Sequence, residues 1–343
     1  MKVGIINVTG YAGSDLARIL ANHPEVEICS VTGRSGAGRP LGSVFPHLSS
    51  LDLEITRELE GSLDFVFSAL PHAASAEALS EIVASGIKCV DISADFRLHD
   101  KDVYAKWYEL EHPNPELLED SVYGLPELHR PDIGNGKLTA NPGCYPTASI
   151  LGLAPALKER IIDHSVIVDA KSGVSGAGRG LSIKTHYSEV NESVTAYGLD
   201  GHRHHPEISQ ELDALADAHV ELTFVPHLIP MTRGILATSY AKLSTDFDSS
   251  NYNLQSTVQD LYREFYRNEP FTRVVDSSPA TKQTLGNNDC LVFPTVNTEN
   301  MMLTVVSCID NLGKGAAGQA VHNMNLMCDI PETSGLEQLA VYP

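Results

Sequence analysis

Short apolar runs alternate with helix-like segments through the first 95 residues. The apolar runs are residues 3–8, 26–31, 63–70 and 87–92, and the helix-like segments are 14–22 and 73–85. A parallel pair of strands needs a crossover connection, usually a helix, so this rhythm is typical of a parallel sheet covered by helices. The sequence therefore predicts an α/β domain with a doubly wound sheet at the start of the chain.

A glycine-rich turn follows the first apolar run. Gly10 and Gly13 lie between the predicted strand and the predicted helix. In that context, backbone N–H groups and a helix N-terminus can bind a pyrophosphate. The alternative is that the glycines only permit a tight turn. We interpret the segment as the nucleotide-binding turn of a Rossmann-type domain.

The segment after the second apolar run indicates which dinucleotide binds. NAD-preferring domains usually place Asp or Glu there for the ribose 2'-hydroxyl, but this chain has Thr-Gly-Arg-Ser-Gly at 32–36. The Arg34 guanidinium and the Ser35 hydroxyl suit a 2'-phosphate instead. The alternative is a surface arginine on a loop. We predict NADP rather than NAD.

One cysteine lies where a nucleophile is expected. Cys144 is preceded by a turn, Asn-Pro-Gly at 141–143, and followed by an apolar, helix-like stretch at 148–157. The unpaired N–H groups of a helix N-terminus stabilise a thiolate and can lower a cysteine pKa from its usual value of about 8.5. An isolated cysteine is more often a core residue, so this prediction needs a second feature.

A histidine-rich segment provides that feature. Residues 201–207 read Gly-His-Arg-His-His-Pro-Glu, which combines imidazole bases with a carboxylate that can orient one of them. Nucleophilic cysteine catalysis needs these groups and a core cysteine does not. A nucleotide domain that ends at a reactive thiol indicates thioester redox chemistry. In this chemistry, the cysteine attacks an acyl group and a nicotinamide delivers hydride to the thioester.

Two segments are candidates for binding an anion. Arg97 ends the segment Ser-Ala-Asp-Phe-Arg at 93–97, and a run rich in glycine and serine covers 171–180. Backbone and hydroxyl donors of such a run can bind phosphate. Each segment taken alone also fits an ordinary loop.

The remainder of the chain follows another pattern. Irregularly spaced strands are predicted at 166–170, 222–226, 236–243, 292–296 and 302–309, with helices at 206–217 and 254–266 and a polar loop at 246–253. This spacing is typical of an α+β domain. An apolar helix at 316–327 is expected to pack back on the first domain. We therefore predict a nucleotide-binding domain from residues 1–143 and 312–343, and a catalytic and oligomerisation domain from 144–311.

Composition narrows the possible partners and the compartment. The 44 acidic and 24 basic residues give a formal charge of -20, which repels nucleic acids and anionic lipids. No apolar stretch approaches the 18 or so residues of a membrane span, and the N-terminal run lacks the length and cleavage site of a signal peptide. The six cysteines are widely separated without a CxxC pair. We expect reduced thiols, a cytoplasmic location, and neither a nucleic-acid nor a membrane partner.

Taken together, these segments resemble the N-acetyl-gamma-glutamyl-phosphate reductases of arginine biosynthesis. The resemblance spans nearly the whole chain and is most specific around Cys144 and His204. The matching segments are the glycine turn up to Gly13 and residues 70–72, 93–97, 123–128, 141–147, 171–179, 202–207, 226–228, 233–238 and 311–327. It implies NADPH-dependent reduction of a small acyl phosphate to a semialdehyde with release of inorganic phosphate. It also implies a homo-oligomer, either a dimer or a tetramer.

The resemblance implies a role for individual residues. Cys144 is the nucleophile, His204 the acid and base, and Glu207 the group that orients His204. The expected NADP-binding residues are Thr9, Gly10, Tyr11, Ala12, Gly13, Arg34, Ser35, Gly36, Pro71, Ser175, Gly176 and Asn311. The expected substrate-binding residues are Arg97, Lys171, Ser172 and Arg203. No metal is expected.

The sequence departs from the family pattern at Asn7, where the family has glycine in the first turn. Asparagine adopts a positive φ more readily than most residues, so we expect the turn to be kept. A second departure is His205, an additional imidazole that leaves the choice of base between His204 and His205 open.

Four alternatives stand beside this interpretation. A related reductase of lysine biosynthesis acts on an acyl phosphate attached to a carrier protein, but its cysteine turn resembles Gly-Ala-Gly-Cys-Asn. Aspartate-semialdehyde dehydrogenase shares the chemistry more distantly. A zinc site would use His202, His204, His205 and Cys144, yet adjacent histidines point apart on a helix or strand. A non-catalytic NADP-sensing protein would need the glycine turn but not the thiol.

Overall fold

The computed structural model describes residues 1–247 and 253–343. The chain forms two compact units: the first comprises Met1–Gly143 and Ala316–Gln338, the second Cys144–Gly315 and Leu339–Pro343. The predicted boundaries differ from these at the C-terminal end, because residues 312–315 and 339–343 belong to the second unit. Physical contacts explain the difference, since Gly315 packs on Cys144 and the Val341 N–H donates to the Leu285 carbonyl (2.8 Å). Part of the predicted polar loop, 248–252, lies outside the described residues.

The first unit contains an eight-stranded sheet in the order β3-β4-β2-β1-β5-β6-β8-β7. Its strands are β1 (Lys2–Ile6), β2 (Glu27–Thr32), β3 (Arg39–Pro40), β4 (Glu54–Thr56), β5 (Phe65–Ser68), β6 (Lys88–Asp91), β7 (Val122–Tyr123) and β8 (Leu138–Ala140). All neighbouring pairs are parallel except β3 with β4. The strand order reverses at β1, which pairs with β2 on one side and β5 on the other. The carboxyl edge at such a reversal is where open α/β sheets bind ligands.

Helices cover this sheet, as the alternating pattern predicts. They are α1 (Tyr11–Leu20), α2 (Leu41–Val44), α3 (Ser75–Ala84), α4 (Lys101–Tyr108), α5 (Pro115–Asp120), α6 (Pro126–Asn135) and, after the second unit, α11 (Gly318–Met327). A short 3-10 helix covers Pro46–Leu51. Helix α11 packs against α1, α6 and β6, so the prediction that the last helix returns to the first domain is confirmed.

The second unit contains a mixed seven-stranded sheet in the order β10-β11-β9-β12-β15-β14-β13. Its strands are β9 (Ile162–Ser172), β10 (Thr195–Ala196), β11 (Glu221–Leu228), β12 (Ile235–Leu243), β13 (Thr272–Val274), β14 (Cys290–Asn297) and β15 (Met302–Ile309). The β9–β11 and β13–β14 pairs are parallel and the other pairs antiparallel. The predicted combination of a Rossmann-type α/β domain with an α+β domain is confirmed.

One face of the second sheet is covered by helices. These are α7 (Cys144–Lys158), α9 (His204–Ala216) and α10 (Leu254–Phe265), with α8 (Tyr187–Val190) in the connection before α9. Short 3-10 helices cover Val174–Ala177, Ile183–Thr185 and Thr281–Thr284, and a π turn covers Gly313–Ala317. Helix α7 packs on β12, β15, β14 and β9 and against α9 and α10. It is therefore buried over most of its length. Within residues 1–247 and 253–343, every helix is too short or too polar to cross a membrane.

Candidate active site

The turn after β1 keeps its tight conformation although Asn7 replaces a glycine. Asn7 has a φ of +64°, the left-handed region that asparagine tolerates. Its side-chain amide donates to the Ala69 carbonyl (2.8 Å), and its carboxamide oxygen accepts from the Thr9 hydroxyl (3.2 Å). Asn7 thereby joins the turns that follow β1 and β5, and the expectation that the turn survives this substitution is confirmed.

Two glycines allow close packing around this turn. A β-carbon at Gly13 would overlap the Asn7 carbonyl oxygen and would lie 2.8 Å from the Val8 Cα. A β-carbon at Gly33 would lie 2.6 Å from the Thr9 methyl group. Only glycine therefore lets α1 start so close to the β1 turn, and only glycine brings the loop after β2 against Thr9. Both features are typical of a nucleotide-binding turn, where backbone must approach the pyrophosphate closely.

The remaining predicted nucleotide-binding residues lie at the same edge of the sheet. Arg34 and Ser35 are exposed in the loop after β2, and Pro71 is exposed after β5. Gly10 immediately precedes α1, so the unpaired N–H groups of the first helical turn lie next to it. The first unit thus brings together Thr9, Gly10, Tyr11, Ala12, Gly13, Arg34, Ser35, Gly36 and Pro71 at the carboxyl ends of β1, β2 and β5.

Arg97 is buried in the first unit. Its Nε donates to the Asn141 carbonyl (2.8 Å) and its Nη2 to the Ile92 carbonyl (2.8 Å). These two bonds orient the guanidinium. The Asn141 side chain donates to the Ala316 carbonyl (3.0 Å). Arg97 and Asn141 therefore hold the turn that precedes Cys144 in the chain.

Cys144 is the first residue of α7, as the sequence predicts for a thiol at a helix N-terminus. The helix has 15 residues, and Tyr145 to Leu157 are all buried, whereas Cys144 is half-buried. The thiol therefore lies at the positive end of the helix dipole and remains accessible. Both conditions are characteristic of a reactive cysteine.

Tyr145, the next residue, connects Cys144 to several other side chains. Its phenol oxygen donates to the His227 carbonyl (3.1 Å) and accepts from the Tyr197 hydroxyl (3.1 Å). The Ser172 hydroxyl also forms a hydrogen bond with the Tyr145 phenol. Burial, together with the charge of a Cys144 thiolate, raises the pKa of Tyr145, and burial with the same charge raises the pKa of Tyr197 to about 12. Both phenols therefore stay protonated beside the thiol.

The histidine segment begins α9 and meets the start of α7. His204 is the first residue of α9, and its ring lies 5.9 Å from the Tyr145 ring, centroid to centroid. The His202 ring lies 4.9 Å from the His204 ring and 5.8 Å from that of Tyr145. Since α7 and α9 pack together, their first turns meet around Tyr145.

His202 is a neutral neighbour of His204. Its Nδ1 accepts a hydrogen bond from the backbone N–H of His204 (3.0 Å). Burial, with a smaller effect from the positive charge of Arg203, lowers the pKa of His202 to about 4. Its ring also contacts those of Tyr197 and Phe224. His202 therefore helps to fix the start of α9 without carrying charge at neutral pH.

His205 and Glu207 are placed differently from His204. The His205 ring lies with Nε2 3.2 Å from the Leu222 carbonyl on β11 and with Nδ1 3.5 Å from the Ser209 hydroxyl. Glu207 is buried in the first turn of α9, with 1% of its surface exposed, and Arg203 is exposed just before that turn. The His204 ring contacts that of Tyr145, whereas the His205 ring faces β11.

The glycine-serine run forms a loop after β9 that is held by a second loop. The Gly173 N–H donates to the Gly234 carbonyl (2.9 Å), and the Ser175 N–H donates to the Thr232 carbonyl (3.0 Å). Asn311 donates to the Ser175 hydroxyl (2.9 Å) and accepts from the Gly234 N–H (2.7 Å). The structure thus brings Ser175 and Asn311 together, and Gly176 lies beside them near Ser172.

Lys171 and Ser172 point to opposite faces of the sheet, because successive residues of a strand alternate. Ser172 is buried on the helix-covered face, where it contacts Tyr145. The Lys171 ammonium lies 2.9 Å from the Asp169 carboxylate, which also pairs with His227 (3.0 Å). Of these two predicted substrate residues, Ser172 is the one on the same side as Cys144.

The structure adds residues that the sequence did not single out. Gly315 packs against Cys144. Asp310, which directly follows β15, accepts hydrogen bonds from the backbone N–H groups of Gly286, Leu312 and Gly313. Arg233 pairs with the fully buried Asp310 carboxylate (3.0 Å). The available signal for Arg233 was an arginine shortly before β12, a strand that begins beside Ser172. Among residues 1–247 and 253–343, no three His, Cys, Asp or Glu side chains are grouped to hold a metal.

Family models match most of this chain. Residues 2–136 match the model for "Semialdehyde dehydrogenase, NAD binding domain", and residues 144–311 match "Semialdehyde dehydrogenase, dimerisation domain". An N-acetyl-gamma-glutamyl-phosphate reductase of Dehalococcoides mccartyi is 53% identical over 343 residues, with 100% of this chain and 99% of that protein covered. Another from Geobacter sp. is 49% identical over 352 residues, and the comparison covers 100% of both chains.

Solved structures of aspartate semialdehyde dehydrogenases share the fold. That of aspartate semialdehyde dehydrogenase II from Vibrio cholerae has a TM-score of 0.72 at 15% identity, covering 96% of this chain and 98% of the other. The enzyme from Candida albicans, solved with NADP, has a TM-score of 0.69 at 15% identity, covering 95% and 98%. At such low identity the likeness concerns the fold alone.

Proposed function

The chain belongs to the semialdehyde dehydrogenase family, among the N-acetyl-gamma-glutamyl-phosphate reductases, and from that premise we propose its reaction. It reduces N-acetyl-gamma-glutamyl phosphate to N-acetylglutamate semialdehyde with NADPH and releases inorganic phosphate, a step of arginine biosynthesis. The observation that carries the proposal is the meeting of two helix starts, that of Cys144 and that of His204, at the Tyr145 ring.

In the first half of the reaction, Cys144 is the nucleophile. His204 accepts the thiol proton, and the start of α7 stabilises the thiolate. The sulfur attacks the acyl carbon, the carbon–oxygen bond to the phosphate breaks, and phosphate leaves with that electron pair. The product is a thioester on Cys144. Glu207, buried one turn into α9, orients His204 for these proton transfers.

In the second half, the thioester is reduced. NADPH supplies a hydride when bound. The carbonyl carbon of the thioester gains that hydride, and the carbon–sulfur bond then breaks to release the semialdehyde and restore the Cys144 thiolate. The phenols of the buried Tyr145 and the half-buried Tyr197 remain neutral O–H groups near the sulfur and exclude water from one side of it. Exclusion of water matters because hydrolysis of the thioester would compete with its reduction.

The first unit fits the cofactor. Gly13 and Gly33 leave space that a β-carbon would fill, so backbone can approach a pyrophosphate at the start of α1. The exposed Arg34 and Ser35 lie after β2, where a 2'-phosphate is bound in this fold. We also assign Thr9 to Gly13, Gly36, Pro71, Ser175 and Gly176 to cofactor binding. Asn311 acts by holding Ser175.

The substrate is an anion at both ends, and we propose that cations and hydroxyl groups of this chain hold it. Arg97 and Arg203 are the cations, and Ser172 is the hydroxyl donor beside Tyr145. Lys171, which was also predicted to bind substrate, lies on the other face of β9 in a pair with Asp169, so we do not assign it to the substrate. A guanidinium is suited to a phosphate or carboxylate because its donors match two oxygens at once. The negative charge of the whole chain makes such local cations necessary for an anionic substrate.

The second unit also supports a homo-oligomer. The sheet face away from the helices carries half-buried or exposed apolar side chains in neighbouring strands, among them Ile167, Tyr240, Phe293 and Val306. Large apolar faces of this kind are usually covered by a partner. The matching family model describes this region as a dimerisation domain. We therefore propose that a second copy of the chain covers this face. The six cysteines are free thiols, which supports our proposal of a reducing, cytoplasmic location.

The proposed function is tested by running the reaction backward with different semialdehydes. Purified protein with NADP, phosphate and N-acetylglutamate semialdehyde is expected to form NADPH. Aspartate semialdehyde is expected to react at least about 100-fold more slowly, because a pocket shaped for an N-acetyl group would bury an unpaired ammonium at a cost of several kcal/mol.

The control for this assay is Cys144→Ser, which removes the nucleophile and should abolish NADPH formation from every semialdehyde tested. A faster reaction with a carrier-bound semialdehyde would contradict the proposal and assign the chain to lysine biosynthesis. A preference for aspartate semialdehyde would contradict it in favour of aspartate-semialdehyde dehydrogenase. NADPH binding without any turnover would indicate an NADP-sensing protein.

A further inference from the structure

The π turn Gly313–Ala317 lies directly against the nucleophile. The Gly315 N–H donates to the Asp310 carbonyl (2.9 Å), which closes the wide turn. A β-carbon at Gly315 would lie 2.8 Å from the Cys144 Cβ, and one at Gly313 would overlap the Asn287 carbonyl oxygen. The turn is therefore held between the Asn287 loop and Cys144. Turns of this type are frequently found at functional sites.

Lys314 lies between these two glycines and is fully buried. Its side chain has 0% of its surface exposed, and its ammonium lies 5.7 Å from the centre of the Phe271 ring. Aromatic rings attract cations over their faces. A buried ammonium is otherwise unfavourable, because it loses its hydration. Phe271 therefore anchors the side chain of the residue that precedes Gly315.

Asp289 supplies a negative charge for Lys314. Burial raises the pKa of the Asp289 carboxyl, and the positive charges of Arg273 and Lys314 act in the opposite direction. The Asn287 amide also donates to Asp289 (2.7 Å). The charges of Asp289 and Lys314 therefore act on each other, and the Asn287 amide ties Asp289 to the loop that touches Gly313.

The reaction as derived above makes no use of Lys314. An apolar side chain would fill the same interior position without loss of hydration, so packing alone gives no reason for a cation here. Cys144, however, must form a thiolate, and a nearby positive charge favours the charged form of a thiol. We propose that Lys314 is a positioning residue for Cys144: anchored on Phe271 and Asp289, it holds the π turn against the nucleophile and supplies a buried positive charge behind the thiolate. This inference rests on the proposed function of Cys144.

The test measures the thiol of Cys144 directly. Alkylation by iodoacetamide is followed at Cys144 by peptide mass spectrometry across pH, in wild type, Lys314→Met and Lys314→Arg. The midpoint of the Lys314→Met profile is expected to rise by roughly 0.5 to 1 pH unit, the scale for a charge that acts across a layer of side chains. Turnover is expected to fall about 10-fold at neutral pH with the Michaelis constant for NADPH unchanged. Lys314→Arg keeps the charge, so its alkylation midpoint is expected to lie close to that of the wild type.

Matched variants separate charge from packing. Lys282→Met removes an exposed lysine of the same unit and is expected to leave the profile unchanged. Asp289→Asn removes the opposing charge and is expected to move the midpoint downward, opposite in sign to Lys314→Met. If Lys314→Met does not fold, the inference is tested by whether the alkylation midpoint of Asp289→Asn moves downward.

A Lys314→Met protein that is less stable but has an unchanged alkylation midpoint would overturn the inference, and so would an unchanged midpoint in Asp289→Asn. Alkylation needs neither substrate nor cofactor. Shifted midpoints in a protein without activity on the acyl phosphate would therefore contradict the proposed function alone.

Discussion

The imidazole of His204 packs on the phenol ring of Tyr145, with ring centroids 5.9 Å apart and planes inclined by 69°. Tyr145 follows Cys144 at the start of α7, and His204 is the first residue of α9. Both first turns present N–H groups that no helical carbonyl accepts. The contact therefore brings the proposed base and the proposed nucleophile, from distant parts of the sequence, to neighbouring helix starts of the second unit.

Replacement of Cys144 by serine is expected to abolish acyl-phosphate reduction while NADPH binding persists. A hydroxyl is a far weaker nucleophile than a thiolate, and the predicted cofactor residues lie largely in the first unit. Steady-state turnover and a fluorescence titration with NADPH measure the two properties separately. Cys29→Ser, at another half-buried cysteine, is the matched control and should retain full activity. Turnover in Cys144→Ser near the wild-type rate would remove the thioester mechanism.

His204→Asn is expected to lower turnover by about 100-fold or more, the usual effect of losing a positioned acid and base. His205→Asn is the neighbouring control. Because the His205 ring contacts Leu222 and Ser209, its replacement should lower the unfolding free energy by about 1 kcal/mol, the scale of one hydrogen bond, and spare turnover. Turnover of both variants at saturating substrate decides the matter. A larger loss of turnover in His205→Asn would show that His205, not His204, is the base.

Arg34→Ala is expected to raise the Michaelis constant for NADPH by about 10-fold or more and to leave that for NADH nearly unchanged. Only NADPH carries the 2'-phosphate that a guanidinium binds, and a charge-assisted hydrogen bond contributes about 1.5–3 kcal/mol. The comparison uses initial rates with each nucleotide. Arg39→Ala, at an exposed arginine on β3, is the control. Equal changes with both nucleotides would show that Arg34 has only a structural role.

The stability of the protein is expected to fall with acid in a way that depends on His202. Burial, with the charge of Arg203, lowers the pKa of His202 from 6.5 to about 4. Between these values the unfolded chain binds a proton that the folded chain resists. The His202 contribution to the unfolding free energy is therefore fully favourable above pH 6.5 and is lost as the pH falls toward 4.

The measurement compares wild type with His202→Phe, which keeps an aromatic ring among Tyr145, Tyr197 and Phe224. Denaturant unfolding at pH 7 and pH 5 should show a larger loss in wild type, by about 1–2 kcal/mol. The hydrogen bond from the His204 N–H is absent from the variant at both pH values, so it cancels in this difference. Equal losses in the two proteins would contradict the lowered pKa.

The sequence predicts the first unit well where its patterns repeat. The four apolar runs coincide with β1, β2, β5 and β6, and the two helix-like segments coincide with α1 and α3. Very short strands cannot be predicted from such patterns. β3, β7 and β10 have two residues each, too few for any alternation, and they exist because a neighbouring strand or segment offers backbone partners. Helices α4, α5 and α6 also went unpredicted, since the chain between 100 and 135 has no sustained apolar stripe.

The candidate site also combines features that local sequence could predict with features that it could not. The position of Cys144 at a helix start could be predicted, because the turn residues before it and the apolar stretch after it are neighbours in sequence. Asn7 in the left-handed region follows equally from local chemistry. Gly315 and Lys314 could not be identified, because their importance lies in contacts with Cys144, Phe271 and Asp289, which are distant along the chain.

The sequence by itself determined the fold class, the glycine turn after the first strand, the thiol at the start of a helix and the segment that carries the proposed base, since each depends on residues only a few positions apart. The tertiary structure alone decided which histidine of the adjacent pair meets Tyr145, which face of β9 carries Ser172, and which glycine lies against the nucleophile. These are choices among side-chain directions, and a direction becomes definite only when helices and sheet pack together and exclude the other arrangements.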